Sequence, residues 1–265
     1  MGTQINVTFD STVYTGVLTS GNLALTPVTP TPTPPTPPSP VSGMHEISLV
    51  YYGPHSTNID NEILAAKPAI QIDNTPAGLW AGNCNPATFQ AIGTIIFSYI
   101  WYNFGQAGSV KVGNTTITVN SGAAPLATNQ AFIRAIAAEG TKGVFIDCAP
   151  SKADVGLSTL CKLAHSLGLT VIVNPGTSPA DESLYSIADY VMASEAYTGQ
   201  SPTGTEKGQY LNQTIVIGFS GSWTAQQAAT YSNDAWAANF PFTYSCQNYN
   251  QLPSWFTTYI ALLNK

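Results

Sequence analysis

Eight short apolar runs punctuate residues 47 to 246, and most begin roughly 20 to 27 residues apart, the length that a strand and a helical return occupy together. The runs are 47–52, 69–73, 94–100, 143–147, 169–174, 189–195, 214–220 and 240–246. Three of them share one design. Gly143-Val-Phe-Ile-Asp147 ends on a lone carboxylate before Cys148, Ala149 and Pro150 break the run. Asp189-Tyr-Val-Met-Ala-Ser-Glu195 ends on a second carboxylate, and Leu169-Thr-Val-Ile-Val-Asn174 on an amide ahead of Pro175 and Gly176. A charge is costly to bury unless its site pairs or uses it. Strands that all carry a functional group at the same end therefore predict a barrel with a site on that face.

The intervals hold helical patterns. Residues 128–139 carry Phe132, Ile133, Ile136 and Ala137 on one face, and 153–167 present Leu157, Leu160, Cys161, Ala164 and Leu167 at helical spacing. Residues 224–238 start from Thr224 with Gln227 three positions on, a capping box, and 253–264 open near Pro253. The third interval is about twice as long as the others, and its excess contains a hairpin over 110–119 turning at Gly113-Asn114. The predicted fold class is α/β: a (β/α)8 TIM-type barrel over residues 44–265, preceded by a short β-rich segment and a Pro-rich linker.

Residues 1–26 alternate in part, through Ile5, Val7, Phe9 and then Val13, Val17 and Leu18, and predict two or three short strands. So small a sheet is marginal alone, which points to pairing with a larger protein assembly or with its own copies; a disordered tail is the alternative. Residues 27–43, rich in Pro and Thr, form an extended polyproline spacer. The amino-terminal segment then reads as an anchor that displays the barrel on a virion or cell surface, outside the cell.

Charged residues make up 8% of the chain, far below the ~25% usual in soluble proteins, so Thr, Ser, Asn, Gln and Tyr must cover the surface. The net charge is -6 and no basic cluster occurs, which argues against nucleic acid, whose phosphates need cations. No apolar run reaches the ~20 residues of a membrane span. The four cysteines, 84, 148, 161 and 246, show no CxxC spacing, and the histidines are three and scattered; the usual zinc patterns are excluded, and neither metal nor cofactor is expected. Cys148 and Cys246 both follow strand runs and could meet at the mouth, but a bridge between them stays open. Gly218-Phe-Ser220-Gly-Ser222 departs from the nucleophile elbow at its last position and no histidine follows it, so a serine hydrolase is set aside.

The stretches ending at Asp147, at Asn174-Pro-Gly-Thr177 and at Glu195, with the opening Leu-Val-Tyr-Tyr-Gly-Pro54, resemble the spherulin-four family of (β/α)8 glycoside hydrolases and the related endo-α-1,4-polygalactosaminidases. The likeness covers roughly residues 46 to 256. It implies that Asp147 and Glu195 act on amino-sugar polysaccharide from the ends of the fourth and sixth barrel strands. The family's Glu after the fourth-strand Asp is here Cys148, which removes one carboxylate from the cluster.

Read from the residues themselves, two carboxylates at matching strand tips suit the acid and the base or nucleophile of glycosidic cleavage. Asn174 either orients a carboxylate or a sugar hydroxyl, or caps its turn. Asp73 is a third site carboxylate or an ordinary turn residue, and His55 is the histidine nearest the site. Asp189, at the start of its strand, is structural, and His165 is solvated. Tyr52, Tyr99, Trp101, Tyr197, Trp223 and Tyr249 fall at or beyond strand ends, where rings could stack on sugar faces. The expected function is a metal-independent glycoside hydrolase that binds polysaccharide. The alternative is a non-catalytic glycan-binding or structural decoration.

Overall fold

A computed structural model of the chain describes residues 45–102, 126–176, 180–197 and 209–263 in full, and the backbone of strands within 3–28 and 108–119. Two compact units result, Met1–Thr33 and Pro34–Lys265. In the first, β1 (Thr3–Phe9), β2 (Thr12–Thr19) and β3 (Asn22–Val28) form an antiparallel sheet in sequence order. The third strand runs through Pro27 and Val28, two residues into the stretch read as linker; a proline is tolerated there because β3 is an edge strand. The rest of the Pro-rich stretch lies outside the described residues.

In the second unit β4 (Glu46–Tyr51), β5 (Ile70–Asp73), β6 (Ile95–Trp101), β9 (Gly143–Asp147), β10 (Thr170–Val173), β11 (Tyr190–Ser194), β12 (Thr214–Phe219) and β13 (Phe242–Cys246) close into a barrel in that order. Every pair is parallel, including β13 with β4 at the seam. This is the (β/α)8 barrel that the spacing predicts. Between the strands lie α1 (Thr57–Ala66), α2 (Pro86–Gln90), α3 (Leu126–Glu139), α4 (Val155–Ser166), α5 (Glu182–Tyr185) and α6 (Ala225–Ala237), and α7 (Phe256–Leu262) follows β13. The long third interval carries β7 (Gly108–Val112) and β8 (Thr115–Val119), paired antiparallel with Val112 opposite Thr115; the turn residues 113 and 114 lie outside the described ones.

Local chemistry sets the helix starts. Thr224 and Gln227 make the predicted capping box of α6, and the Asp154 carboxylate caps α4 by accepting from Leu157 N at 2.7 Å. Each occupies a backbone N–H that the first turn leaves without a partner.

Strand register sorts side chains between lumen and helix layer, because residues paired across a parallel sheet share a face. Val50 pairs with Ile72, Ile72 with Phe97, Phe97 with Gly143 and Tyr99 with Phe145. Phe145 pairs in turn with Ile172, Ile172 with Tyr190, and Ile215 with both Met192 and Phe242. These residues fill the lumen. They pack so closely that a Cβ on Gly143 would lie 2.5 Å from the Phe97 ring. The opposite phase meets the helices: Val216 packs with Ala235 of α6, and Ser245 Oγ lies 2.9 Å from Ser232 Oγ of the same helix. Full burial of rings such as Phe97 and Phe145 contributes roughly 2–3 kcal/mol each. At the seam, Tyr52 N donates to Tyr249 O at 2.5 Å, and any side chain at Gly53 would meet Asn250 O at 2.2 Å.

Candidate active site

The carboxyl ends of the strands form an open mouth, and strand phase decides which polar groups reach it. Asp147 pairs with Trp101 on the lumen phase. Both of its oxygens accept, as a carboxylate's do: Oδ2 from Tyr99 OH at 2.7 Å and Oδ1 from Asn174 Nδ2 at 2.8 Å. Asn174 is 2% exposed, and its own Oδ1 accepts from Gly176 N at 3.0 Å. That last bond turns the NH2 end of the amide toward Asp147. Asn174 therefore both orients a carboxylate and caps its turn, the two roles that the residues alone leave open.

Glu195 reaches the same amide through an irregularity. Met192 pairs with Ile215 on the lumen phase, but Ser194 pairs with Val216 on the helix phase, so Ala193 is the extra residue of a bulge. Unbroken alternation would send Glu195 toward the helices; the bulge returns it to the lumen side. There it lines a cavity together with Asn174 and accepts from Tyr249 OH at 3.4 Å. The residue is exposed at the rim, but its carboxyl is crowded: burial pushes the Glu195 pKa up, the hydrogen bond from Asn174 opposes this, and the Asp147 charge adds to the rise. Burial, with Asp147 behind it, also raises Tyr99, and burial with Glu195 raises Tyr249, so both phenols keep their protons and donate.

The tyrosines form a continuous arc. Tyr52 meets Tyr99 and Tyr249 edge-on at 5.1 and 5.8 Å, and Tyr249 meets Phe219 at 5.1 Å. On the other side Trp101 faces Trp80 at 6.4 Å. A cavity of about 290 Å³ opens beside Asn174, Gly176 and Glu195, and one of about 540 Å³ lies among Tyr52, Gly53, Asn74 and Trp80. Sequence reasoning overlooked Phe219 and Trp80, which are 44% and 46% exposed. Phe219 shares the alternation of Ile215 and Ile217 and could have been found by it; Trp80 sits in a loop without periodicity.

Four expected contacts are placed elsewhere. Asp73 pairs with Tyr51 and Ser98 on the helix phase and is 0% exposed, so it cannot present a carboxylate to the mouth. His55 is sealed beside it, between Asp73 Oδ2 at 2.9 Å and Asp60 Oδ1 at 2.6 Å. Burial lowers the His55 pKa, but the hydrogen bonds and charges of the two carboxylates outweigh it and the net direction is up. Tyr197 packs with Val216, Ala235 and Phe240 in the helix layer, and Trp223 lies against Gly218 and Tyr231; both are core residues. His165, expected in solvent, bonds Asp189 at 3.0 Å. Asp189 also accepts from Val171 N at 2.7 Å, the structural part expected of it.

Cys148 and Cys246 are not bridged; all four cysteines are free. Cys246 is buried on the lumen phase, and Cys148 is exposed beside Asp147 with a left-handed φ of 50°, a conformation that costs a non-glycine residue on the order of 1 kcal/mol. Burial and the Asp147 charge push the Cys148 thiol up, so it is a neutral neighbour where the resemblance expects a third carboxylate. Among the described residues no helix is long and apolar enough to cross a membrane.

No protein-family model matches the sequence, and no curated protein is significantly similar to it. Solved structures that are similar include morphinone reductase in complex with tetrahydroNAD, at 11% identity over 83% of this chain and 88% of that one, with a TM-score of 0.41. An old yellow enzyme homologue from Zymomonas mobilis is 9% identical over 77% of this chain and 84% of its own, TM-score 0.39. Nitroalkane oxidase from Streptomyces ansochromogenes is 12% identical over 77% and 65%, TM-score 0.39. At such identities the likeness is one of barrel architecture alone.

Proposed function

We propose that the barrel hydrolyses glycosidic bonds in an amino-sugar polysaccharide, with Glu195 as general acid and Asp147 as the carboxylate that attacks the sugar or activates water. The observation that carries this reading is the meeting of two acids at one mouth: Asp147 is held by Tyr99 OH and Asn174 Nδ2, Glu195 lines one cavity with Asn174 and accepts from Tyr249 OH, and the Asp147 charge is felt at Glu195. Among the described residues, no Lys or Arg pairs with either carboxylate. The raised pKa of Glu195 suits a group that must hold a proton for the departing oxygen. The arc Tyr99, Tyr52, Tyr249 and Phe219, with Trp80 and Trp101, offers ring faces and phenol edges to a sugar chain. In the same reading the amino-terminal sheet anchors the barrel to a larger extracellular assembly such as a virion.

The test is hydrolysis of partially deacetylated galactosamine polymer. Wild type releases reducing ends, and Asp147→Asn and Glu195→Gln each lose about 10³-fold or more in kcat while staying folded. Variants as active as wild type, or a wild type that releases nothing, sink the reading. A glycan-binding decoration is the second reading, favoured by Cys148 where a third carboxylate is expected; retention of the polymer without release of product would establish it.

A further inference from the structure

On the helix side of β5, three metal-ligating side chains converge from three separate segments. His55 follows β4, Asp73 ends β5 and Cys84 precedes α2. A ring nitrogen of His55, an Asp73 carboxylate oxygen and Cys84 Sγ all lie within 4.8 Å of one another, and Nε2 is the nitrogen that faces Asp73. All are sealed from water: Asp73 is 0% and Cys84 1% exposed, and the His55 side chain 4%. Gln71, also 0% exposed, donates its amide to Asp73 Oδ2 at 2.6 Å, while Oε1 of that same amide has no hydrogen-bond partner. A buried carbonyl oxygen without a donor is costly, and a cation satisfies it.

We infer that His55 Nε2, Asp73 Oδ2 and Cys84 Sγ are ligands of a structural, zinc-class divalent ion, with the unpartnered Gln71 Oε1 assigned as its fourth donor. One thiolate and one carboxylate neutralise a divalent charge, which a closed apolar surrounding requires. A tetrahedral ion with bonds of ~2.0 Å to nitrogen and ~2.3 Å to sulfur sets its ligands roughly 3.3–3.8 Å apart; His55 Nε2 and Asp73 Oδ2, now hydrogen-bonded at 2.9 Å, would part by about 0.4 Å to admit it, and the three ligand atoms lie within 4.8 Å of one another. The supporting residue is also present. Asp60 Oδ1, 2.6 Å from His55 Nδ1, holds the proton on that nitrogen and leaves Nε2 to face the metal, the carboxylate–histidine arrangement of many zinc sites. Binding displaces two protons to solvent, that of the Cys84 thiol and that of His55 Nε2, which otherwise bonds Asp73 Oδ2.

Such an ion would staple segments that wall the cavity containing Tyr52 and Trp80. Protein contacts already tie them: His55 N donates to Asn83 Oδ1 at 2.8 Å, Asn83 Nδ2 to His55 O at 2.9 Å, and Asn74 Nδ2 to Tyr52 O at 3.2 Å. A metal replaces the expectation of a metal-free barrel without altering the carboxylate pair, and it stands whether or not the mouth cuts glycans.

The full-length chain, stripped with a chelator, is titrated with Co2+ as a coloured substitute for Zn2+. One Co2+ per chain, a near-ultraviolet thiolate-to-cobalt band and its disappearance on adding Zn2+ are expected. The band survives Cys148→Ser and is lost in Cys84→Ser and His55→Gln. At 100-fold excess over Kd, Zn2+ raises Tm by about 5 °C or more in wild type. X-ray absorption of the zinc-loaded wild type needs no variant and shows one sulfur among nitrogen and oxygen ligands. Absence of stoichiometric binding, a band that persists in Cys84→Ser, or a zinc shell with no sulfur or with several overturns the assignment.

Discussion

Two groups of acids stand at the carboxyl ends of this barrel's strands, and they meet opposite surroundings. Asp147 closes β9 on the lumen phase and is held by Tyr99 and Asn174 at an open mouth where Glu195 also stands. Asp73 closes β5 on the helix phase, 0% exposed, bound to His55, Gln71 and the Asn74 backbone. In sequence both are a carboxylate at the end of a short apolar strand. A one-residue difference in phase makes one acid available to a substrate and the other a buried partner. A carboxylate at a strand end is thus a candidate for chemistry only once its face is known.

The largest effects break that comparison directly. Asp147→Asn should remove about 10³-fold of kcat and leave Tm nearly where it was. Asp73→Asn, measured after chelation, should act mainly on the fold: it removes one partner of a buried pair, a loss of about 3 kcal/mol, or roughly 6–12 °C in Tm. Paired melting curves and initial rates on glycan distinguish the two. If Asp73→Asn is the one that abolishes turnover at unchanged Tm, the assignment of faces is reversed.

Next in size is the amide beside the acids. Asn174→Ala takes the Nδ2 donor from Asp147 and should lower kcat about 10²-fold. A larger change in KM than in kcat would make Asn174 a contact of the sugar rather than an orienter of the acids. Smaller again is Trp80→Ala at the exposed edge of the arc. Loss of one stacking surface worth about 1 kcal/mol should weaken glycan binding roughly fivefold, read by titration calorimetry on the Asp147→Asn protein. No change would leave Trp80 outside the binding surface.

How far the sequence discloses this contrast depends on local regularity. The barrel is legible because eight apolar runs recur at the spacing of strand and helix, and the runs match the eight barrel strands, β4–β6 and β9–β13, to within two residues at each end. Asp147 is legible too: Gly143, Phe145 and Asp147 alternate without interruption, and the lumen phase carries straight to the acid. Glu195 is not, because the bulge at Ala193 reverses the phase that alternation assigns, and no residue type in Met-Ala-Ser-Glu announces a bulge. For Asp73 the hint was present, since it shares a face with Gln71 rather than with Ile70 and Ile72, but both faces of a barrel strand are covered and polarity alone could not tell them apart. His55, Asp73 and Cys84 meet only through tertiary folding, so no spacing rule could have joined them.

The smallest effect concerns protons and follows from the crowding of Glu195. Its folded pKa lies above the ordinary value, chiefly through burial and further through the Asp147 charge. Between the unfolded and folded pKa the native state then binds more protons than the unfolded chain, so stability falls as pH rises through this window. Below the unfolded pKa, ~4.3, both states hold the proton and the group contributes no difference. Above the folded pKa the whole penalty is present. Glu195→Gln removes it, so the variant should melt slightly higher than wild type at pH 7, with the gap closing toward pH 4. In Asp147→Asn the gap produced by adding Glu195→Gln should narrow, because one cause of the raised pKa has gone. Melting curves of the four proteins across this range measure both effects. A gap of opposite sign would mean that Glu195 is stabilised as an anion at the mouth, and a group so held would be a poor acid for a departing sugar.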